Sequence, residues 1–226
     1  MNPASADVLR RAAAHVLVDD VEAPVLSDES AVHVFRSRRV RNYEVITVTD
    51  GAGRWRRCRA HDDAIVIDGD VMAESRRTNP ITVAVAIPKL DRPEWIVQKL
   101  TEVGIDRIVF LHADRSVVRW DPNRTDKRAA KLRRVAAEAL QQSRGVWLPE
   151  IDGPVSSHTF LPGAIVAEPG ARSLDSTDHV VAIGPEGGWS SNELSLATDS
   201  VSLGSRVLRV ETAALVAATL LTAHAG

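Results

Sequence analysis

Residues 180–190 read Val180-Val181-Ala182-Ile183-Gly184-Pro185-Glu186-Gly187-Gly188-Trp189-Ser190. Four successive apolar residues, with no polar alternation, describe a strand buried on both faces, as in a parallel sheet covered by helices. The glycines end that strand in a turn, and Ser190 followed three residues later by Glu193 is the signature of a helix start. A second segment, Leu203-Gly204-Ser205-Arg206-Val207-Leu208-Arg209-Val210-Glu211-Thr212-Ala213-Ala214, repeats the order of strand end, glycine turn and helix start. A residue without Cβ lets main-chain N–H and C=O groups come close to a bound molecule. Two such turns at neighbouring strand ends predict one small-molecule pocket at the carboxyl edge of a parallel sheet.

The pattern extends upstream. Residues 81–87 form an apolar strand. Residues 92–103 form a helix with Trp95, Ile96, Leu100 and Val103 on one side, closed by Gly104. A strand at 107–111, an amphipathic helix at 124–143, strands at 164–167 and 180–183, a helix at 190–196, a strand at 201–203 and a closing helix at 211–222 follow. This alternation predicts a mostly parallel α/β domain over residues 81–226. Residues 1–73 read differently. Short strands at 15–18, 45–49, 54–60 and 64–67, a turn at Asp50-Gly51-Ala52-Gly53 and a short helix from Asp28 through Phe35 predict a small β-barrel. Residues 74–80, ending in Asn79-Pro80, read as a linker.

Composition narrows the classes. The chain has 226 residues, 44% of them apolar, and a net charge of −2, so no global basic character points to nucleic acid. Local charge is uneven: residues 78–150 hold 13 Lys/Arg against 9 Asp/Glu, and residues 151–226 hold 3 against 8. Arginines also cluster at 36–41 and 54–59, where they form either phosphate-binding patches or a solvated surface. Cys58 is the single cysteine, which excludes an intrachain disulfide and fits a reducing compartment. Residues 1–11 carry no apolar signal region, and the apolar run at 213–223 is too short to span a bilayer, so the expected location is cytoplasmic with no membrane partner.

The turns match neither the G-x-G-x-x-G dinucleotide fingerprint nor the G-x-x-x-x-G-K-[ST] phosphate loop. Gly-x-Ser-x-Gly is absent, and no Cys or His set has metal-ligand spacing, so no metal is expected. What remains closely resembles the SPOUT superfamily of RNA methyltransferases, specifically the RsmE type. The segments 183–190 with Glu193, and 203–213, carry most of the likeness. Pro88-Lys89, Trp95-Ile96-Val97-Gln98-Lys99, Thr101-Glu102-Val103-Gly104, Arg115-Ser116-Val117-Val118, and Gln142-Ser143-Arg144 followed by Pro149, support it in order and spacing. So do Leu9-Arg10-Arg11 and the helix at 33–38. Trp189 stands where phenylalanine is usual, and Ala12 to Ala14 stand where bulkier apolar residues are common.

The resemblance implies a C-terminal α/β domain with a deep trefoil knot, an N-terminal PUA-like RNA-binding barrel, and a homodimer. It implies S-adenosyl-L-methionine as cofactor and 16S rRNA of the small ribosomal subunit as substrate, methylated at uracil N3 (uracil 1498 of that RNA). On that footing Ile183, Gly184, Gly187 and Gly188 present main chain to the methionine and ribose parts. Leu203, Gly204 and Leu208 line the adenine slot, with Ala213 beside them, and Ala167 and Glu168 complete it. Glu186 either bonds a ribose hydroxyl or favours the helix start. Thr212 both caps the last helix and contacts the cofactor. Arg209 favours the N3-deprotonated base and Glu211 takes the proton; the rival reading is a structural Arg209–Glu211 pair. Arg10, Arg11, Arg36, Arg38 and Arg39 are the phosphate contacts of the first domain, and Lys89, Arg92, Lys99, Arg115 and Arg144 those nearer the chemistry. Trp95 and Trp120 stack on bases or sit in the core. Two other functions fit less of the pattern: a non-catalytic ribosome-assembly module, and a SPOUT enzyme that methylates ribose 2′-hydroxyls of transfer RNA.

Overall fold

The computed structural model describes residues 3–121 and 125–224. The chain divides into two compact units, Met1–Arg77 with Ala137–Leu148, and Thr78–Ala136 with Pro149–Gly226.

In the first unit, α1 (Pro3–Arg11) precedes β1 (Ala14–Leu17). Helix α2 (Asp28–Ala31), capped by Ser27, runs on as a π-helical stretch (Val32–Ser37) and spans the short helix expected there. Strands β2 (Val45–Thr49), β3 (Arg54–His61) and β4 (Ala64–Ala73) complete a sheet of order β1-β2-β3-β4. Only the β1–β2 pair is parallel. The Asp50 carboxylate accepts from the N–H groups of Ala52 and Arg54 at 2.8 and 3.1 Å and so sets the β2–β3 turn. Along β3, Trp55, Cys58 and Ala60 are buried. Its arginines are tied into the fold: Arg57 and Arg59 pair with Asp68 at 3.1 and 2.8 Å, and Arg56 donates to the Gly69 carbonyl at 2.7 Å. Burial pushes the Cys58 thiol up to about 11, which keeps it protonated and inert at neutral pH. In this order β1 and β4 are edges, and no closed barrel is found among the described residues.

Residues 137–148, expected in the second domain, belong to the first unit. The reason is a set of polar contacts with no local sequence signal. His15 is buried, with Nε2 2.8 Å from the Gly145 carbonyl and Nδ1 2.8 Å from the Thr47 hydroxyl. Leu17 N–H donates to the Gln141 side chain, Gly53 N–H to the Val146 carbonyl, and Leu148 N–H to the Gly51 carbonyl. Burial lowers the His15 pKa from 6.5 to about 4, so the ring is neutral. Between these values the unfolded chain binds more protons than the folded one. The stability His15 contributes is therefore present above pH 6.5 and lost as pH falls through about 4. In thermal unfolding, the lead of the wild type over His15→Gln is expected to shrink between pH 7 and pH 4; a pH-independent lead would contradict this.

The second unit is built on six strands: β5 (Thr82–Ala86), β6 (Arg107–His112), β7 (Glu150–Ser156), β8 (Ile165–Ser173), β9 (Val180–Ile183) and β10 (Asp199–Ser202). Their order is β10-β8-β9-β5-β6-β7, and every pairing is parallel. Central strands explain the apolar runs, since Val83, Ala84, Val85, Ile108, Phe110, Val181 and Ala182 are completely buried. Helix α3 (Arg92–Val103) buries Pro93, Ile96, Val97, Leu100 and Thr101 and ends at Gly104 in the left-handed conformation (φ 84°). Trp95 lies at the edge of that face, 38% exposed. Helix α4 is Thr125–Ser143; Arg124, expected as its first residue, lies outside the described residues. Helices α5 (Ser157–Phe160), α6 (Ser191–Leu196) and α7 (Val210–His224) follow, and α7 packs on α3. Strand β7 and helices α1 and α5 were not expected. Strand β7 contains Gly153-Pro154, which reads as a turn, but it lies at the edge of the sheet, where such residues are tolerated.

Candidate cofactor cleft

All six strands run the same way, so the loops leaving β8, β9 and β10 lie at one edge of the sheet. After β9, the Gly188 N–H donates to the Pro185 carbonyl at 2.8 Å, with Gly188 in the left-handed region (φ 69°). Trp189 then folds back until it is 4% exposed. Its ring occupies the space beside Gly184: a Cβ on that residue would lie 3.0 Å from indole atoms.

Ser190 caps α6 through the capping box with Glu193. The completely buried Glu193 carboxylate accepts from the Ser190 N–H at 2.8 Å and from the Asp114 N–H at 3.0 Å. Asp114, after β6, accepts from the Ser190 hydroxyl at 2.6 Å and meets His158 Nε2 of α5 at 2.7 Å. The Ser190 hydroxyl, then the His158 ring, hold the Asp114 carboxyl below the usual carboxylate range. Arg115 donates to the Gly187 carbonyl at 3.0 Å. Asp114, His158 and Glu193 bring possible metal-ligand atoms within 4.8 Å of one another. Those atoms are already engaged in bracing the glycine loop from the β6 and β7 sides. The Ser190 hydroxyl faces the carboxylate rather than the imidazole, so the group is not arranged as a nucleophilic triad.

Strand β8 departs from regular pairing. Its Val166 lies opposite Ser200 and its Arg172 opposite Val201, so residues 167–171 bow out of the sheet. Arg172 anchors the far end, with both terminal nitrogens on Asp178 at 2.7 and 2.8 Å and Nε on Asp199 at 2.7 Å. After β10, Ser202 Oγ donates to the Gly204 carbonyl at 3.1 Å, and Gly204 adopts φ 134°.

These three loops and the start of α7 enclose a cleft. Its cavity volume is about 180 Å³, and it opens to solvent on one side. From β8 come Ala167 and Glu168, with Pro169. The β9 loop supplies Ile183, Gly184, Glu186 and Gly188, with Pro185. Leu203, Gly204 and Leu208 line it from the β10 side, together with Ser202, Arg206 and Val207, and α7 adds Ala213 and Val210. The residues not anticipated are sequence neighbours of anticipated ones, so contiguity was the available signal. A Cβ on Gly188 or Gly204 would meet no atom within 4 Å, so open space lies directly beside both. Burial holds the Glu168 carboxyl above the usual carboxylate range, whereas Glu186 and Arg206 are exposed.

Four expected residues are not among those lining the cleft. Gly187 faces Arg115, whose Cβ would be 3.3 Å from an added one. Thr212 lies inside the first turn of α7 rather than at its cap; the carbonyl before the helix, accepting from Ala213 N–H at 2.8 Å, belongs to Arg209. Arg209 is exposed. Glu211 pairs with Arg92 at 2.9 Å, not with Arg209.

The other candidate cations are distributed as follows. Arg10, Arg11, Arg36, Arg38 and Arg39 are exposed on the first unit, where Arg11 pairs with Asp7, Arg36 with Asp63, and Arg38 with Gln142. Arg144 is half-buried and donates to the Ala12 carbonyl at 2.9 Å, a structural contact. On the second unit Lys89 and Arg115 are exposed, and Lys99 pairs with Glu102 at 2.8 Å. Trp120 is buried against Phe110, with ring centroids 4.9 Å apart and the Arg128 guanidinium 4.6 Å from its ring, so it is not free to stack on a base.

A parallel sheet with this cleft at its carboxyl edge defines a domain for a small-molecule donor, and the family model described as an RNA methyltransferase domain matches residues 75–222. The ribosomal RNA small subunit methyltransferase E of Mycobacterium bovis is 32% identical over 229 residues, covering 89% of this chain and 86% of that protein. The protein of the same name from Synechocystis is 30% identical, covering 87% and 72%. A Legionella pneumophila structure in complex with the bound cofactor SAM is 25% identical with a TM-score of 0.74, covering 93% of this chain and 96% of that one. The chain belongs to the ribosomal RNA small subunit methyltransferase E family.

Proposed function

We propose that the protein transfers the methyl group of S-adenosylmethionine to N3 of a uracil in small-subunit (16S) rRNA. The observation that carries this is the meeting of three strand-end loops, two of them with glycines beside open space, in one cleft of a family member. The cleft fits the cofactor: main chain exposed at Gly188 and Gly204, apolar walls at Leu203, Leu208 and Val210, and few charges. When bound, S-adenosylmethionine supplies an electrophilic methyl on a sulfonium. Because the sulfonium charge disappears as the methyl leaves, alignment matters more than charge stabilisation. The braced glycine loop serves that alignment. Arg209, exposed next to the cleft at the entry to α7, favours the deprotonated form of the base. Glu211 takes the N3 proton, with Arg92 holding its carboxylate in place.

The first unit serves as a PUA-like RNA-binding module through Arg10, Arg11, Arg36, Arg38 and Arg39, and the C-terminal segments form the trefoil knot of SPOUT enzymes. The protein works as a cytoplasmic homodimer. Helix α7 supports the dimer: it is apolar nearly all round, and Leu215, Val216 and Leu220 stay only half-buried in the single chain. Sedimentation as a monomer would remove that part of the proposal. No helix among the described residues is long and apolar enough to cross a membrane.

The test is methylation in vitro of small subunits from a strain lacking the gene, followed by nucleoside mass spectrometry. The expected product is 3-methyluridine, formed by the wild type and strongly reduced in Arg209→Ala. Ribose-methylated nucleosides would instead indicate 2′-hydroxyl chemistry. RNA binding without methyl incorporation would indicate an assembly module.

A further inference from the structure

We propose that Glu168 is the carboxylate that receives the ribose hydroxyls of the methyl donor, a role that the sequence alone offers to Glu186 as one of two readings. The inference rests on the proposed reading of the cleft as the S-adenosylmethionine site. Strand β8 lies between β10 and β9, so its bowed residues 167–171 stand between the loop assigned to adenine and the loop assigned to the methionine part. The sugar joins those two parts and falls at that middle position. Glu168 lines the cleft there, half-buried. It has no hydrogen-bond or ion-pair partner among the described residues.

A partly desolvated carboxylate without a donor is costly, and hydroxyl donors from a ligand offset the cost. Burial has already raised the Glu168 pKa, the mark of a carboxylate lacking compensation. Two vicinal hydroxyls match the two oxygens of one carboxylate, the pairing by which an acid reads ribose in dinucleotide sites. Glu186 lacks this setting, because it is exposed to water that competes for the same bonds. Arg206, the cleft's cation, is also exposed and makes no ion pair with Glu168 among the described residues.

The experiment is calorimetric titration of the full chain with S-adenosylhomocysteine and its 2′-deoxy and 3′-deoxy analogues, for the wild type, Glu168→Gln and Glu186→Gln. The wild type is expected to prefer the intact ribose by about tenfold or more for each hydroxyl that bonds to the charged group. In Glu168→Gln that preference falls to about threefold or less, with an unchanged unfolding midpoint, while Glu186→Gln keeps it. An intact preference in Glu168→Gln, or its loss in Glu186→Gln, overturns the assignment and leaves the cleft's identity standing. No binding of S-adenosylhomocysteine by the wild type overturns both.

Discussion

Gly204→Val is expected to weaken S-adenosylmethionine binding by roughly tenfold to a hundredfold, the size of a 1–3 kcal/mol overpacking cost, while the protein stays folded. The added Cβ meets no protein atom within 4 Å, so its branches project into the space left for the ligand rather than into packed structure. A backbone cost remains, because φ 134° is a conformation that residues with a side chain rarely adopt. That cost is on the order of 1–3 kcal/mol and falls on an exposed loop. Calorimetry and thermal unfolding on one preparation separate the two effects. Gly204→Ala, which shares the backbone cost but adds less bulk, is expected to retain more affinity than the valine variant. Equal affinity in wild type and Gly204→Val would show that the ligand does not use this space.

The second large effect concerns stability. Gly153→Ala is expected to lower the unfolding free energy by about 3 kcal/mol or more, a fall of roughly 6–12 °C in Tm for a chain of this length. A Cβ at Gly153 would lie 2.4 Å from the Phe110 carbonyl oxygen and 3.0 Å from the Phe110 nitrogen, both backbone atoms of a buried strand that cannot turn aside. The φ of 107° adds strain. Gly170→Ala is the control: its φ is also positive, at 81°, but no atom lies within 4 Å of the new Cβ, so only the conformational cost applies. A drop for Gly153→Ala no larger than that for Gly170→Ala would mean that β7 moves away freely. Because β7 leads into α5, its loosening also reaches His158 and the Asp114 brace.

The features legible in the sequence were those written in neighbouring residues. Val180–Ile183 announced β9 because a strand covered on both faces must be apolar throughout. Ser190 and Glu193 announced the cap of α6 because three residues separate the two partners of a capping box. The glycines of both loops marked the cleft for a similar local reason. What stayed hidden depends on partners distant in the chain. Glu211 is met by Arg92, 119 residues away, and Asp114 by Ser190, 76 residues away. The bow in β8 shows in its pairing with β10, and its one local signal, the turn dipeptide Pro169-Gly170 inside the strand, does not say where the strand resumes. Residues 137–148 join the first unit through His15, whose contacts lie 32 and 130 residues off.

The indole folded against Gly184 links two positions that otherwise look independent. A methyl group at 184 would stand 3.0 Å from the indole, so the ring at 189 would have to yield by a few tenths of an ångström or be replaced by a smaller one. Across related chains, substitutions at these two sites should therefore arise as compensating pairs, with bulk gained at one matched by bulk surrendered at the other.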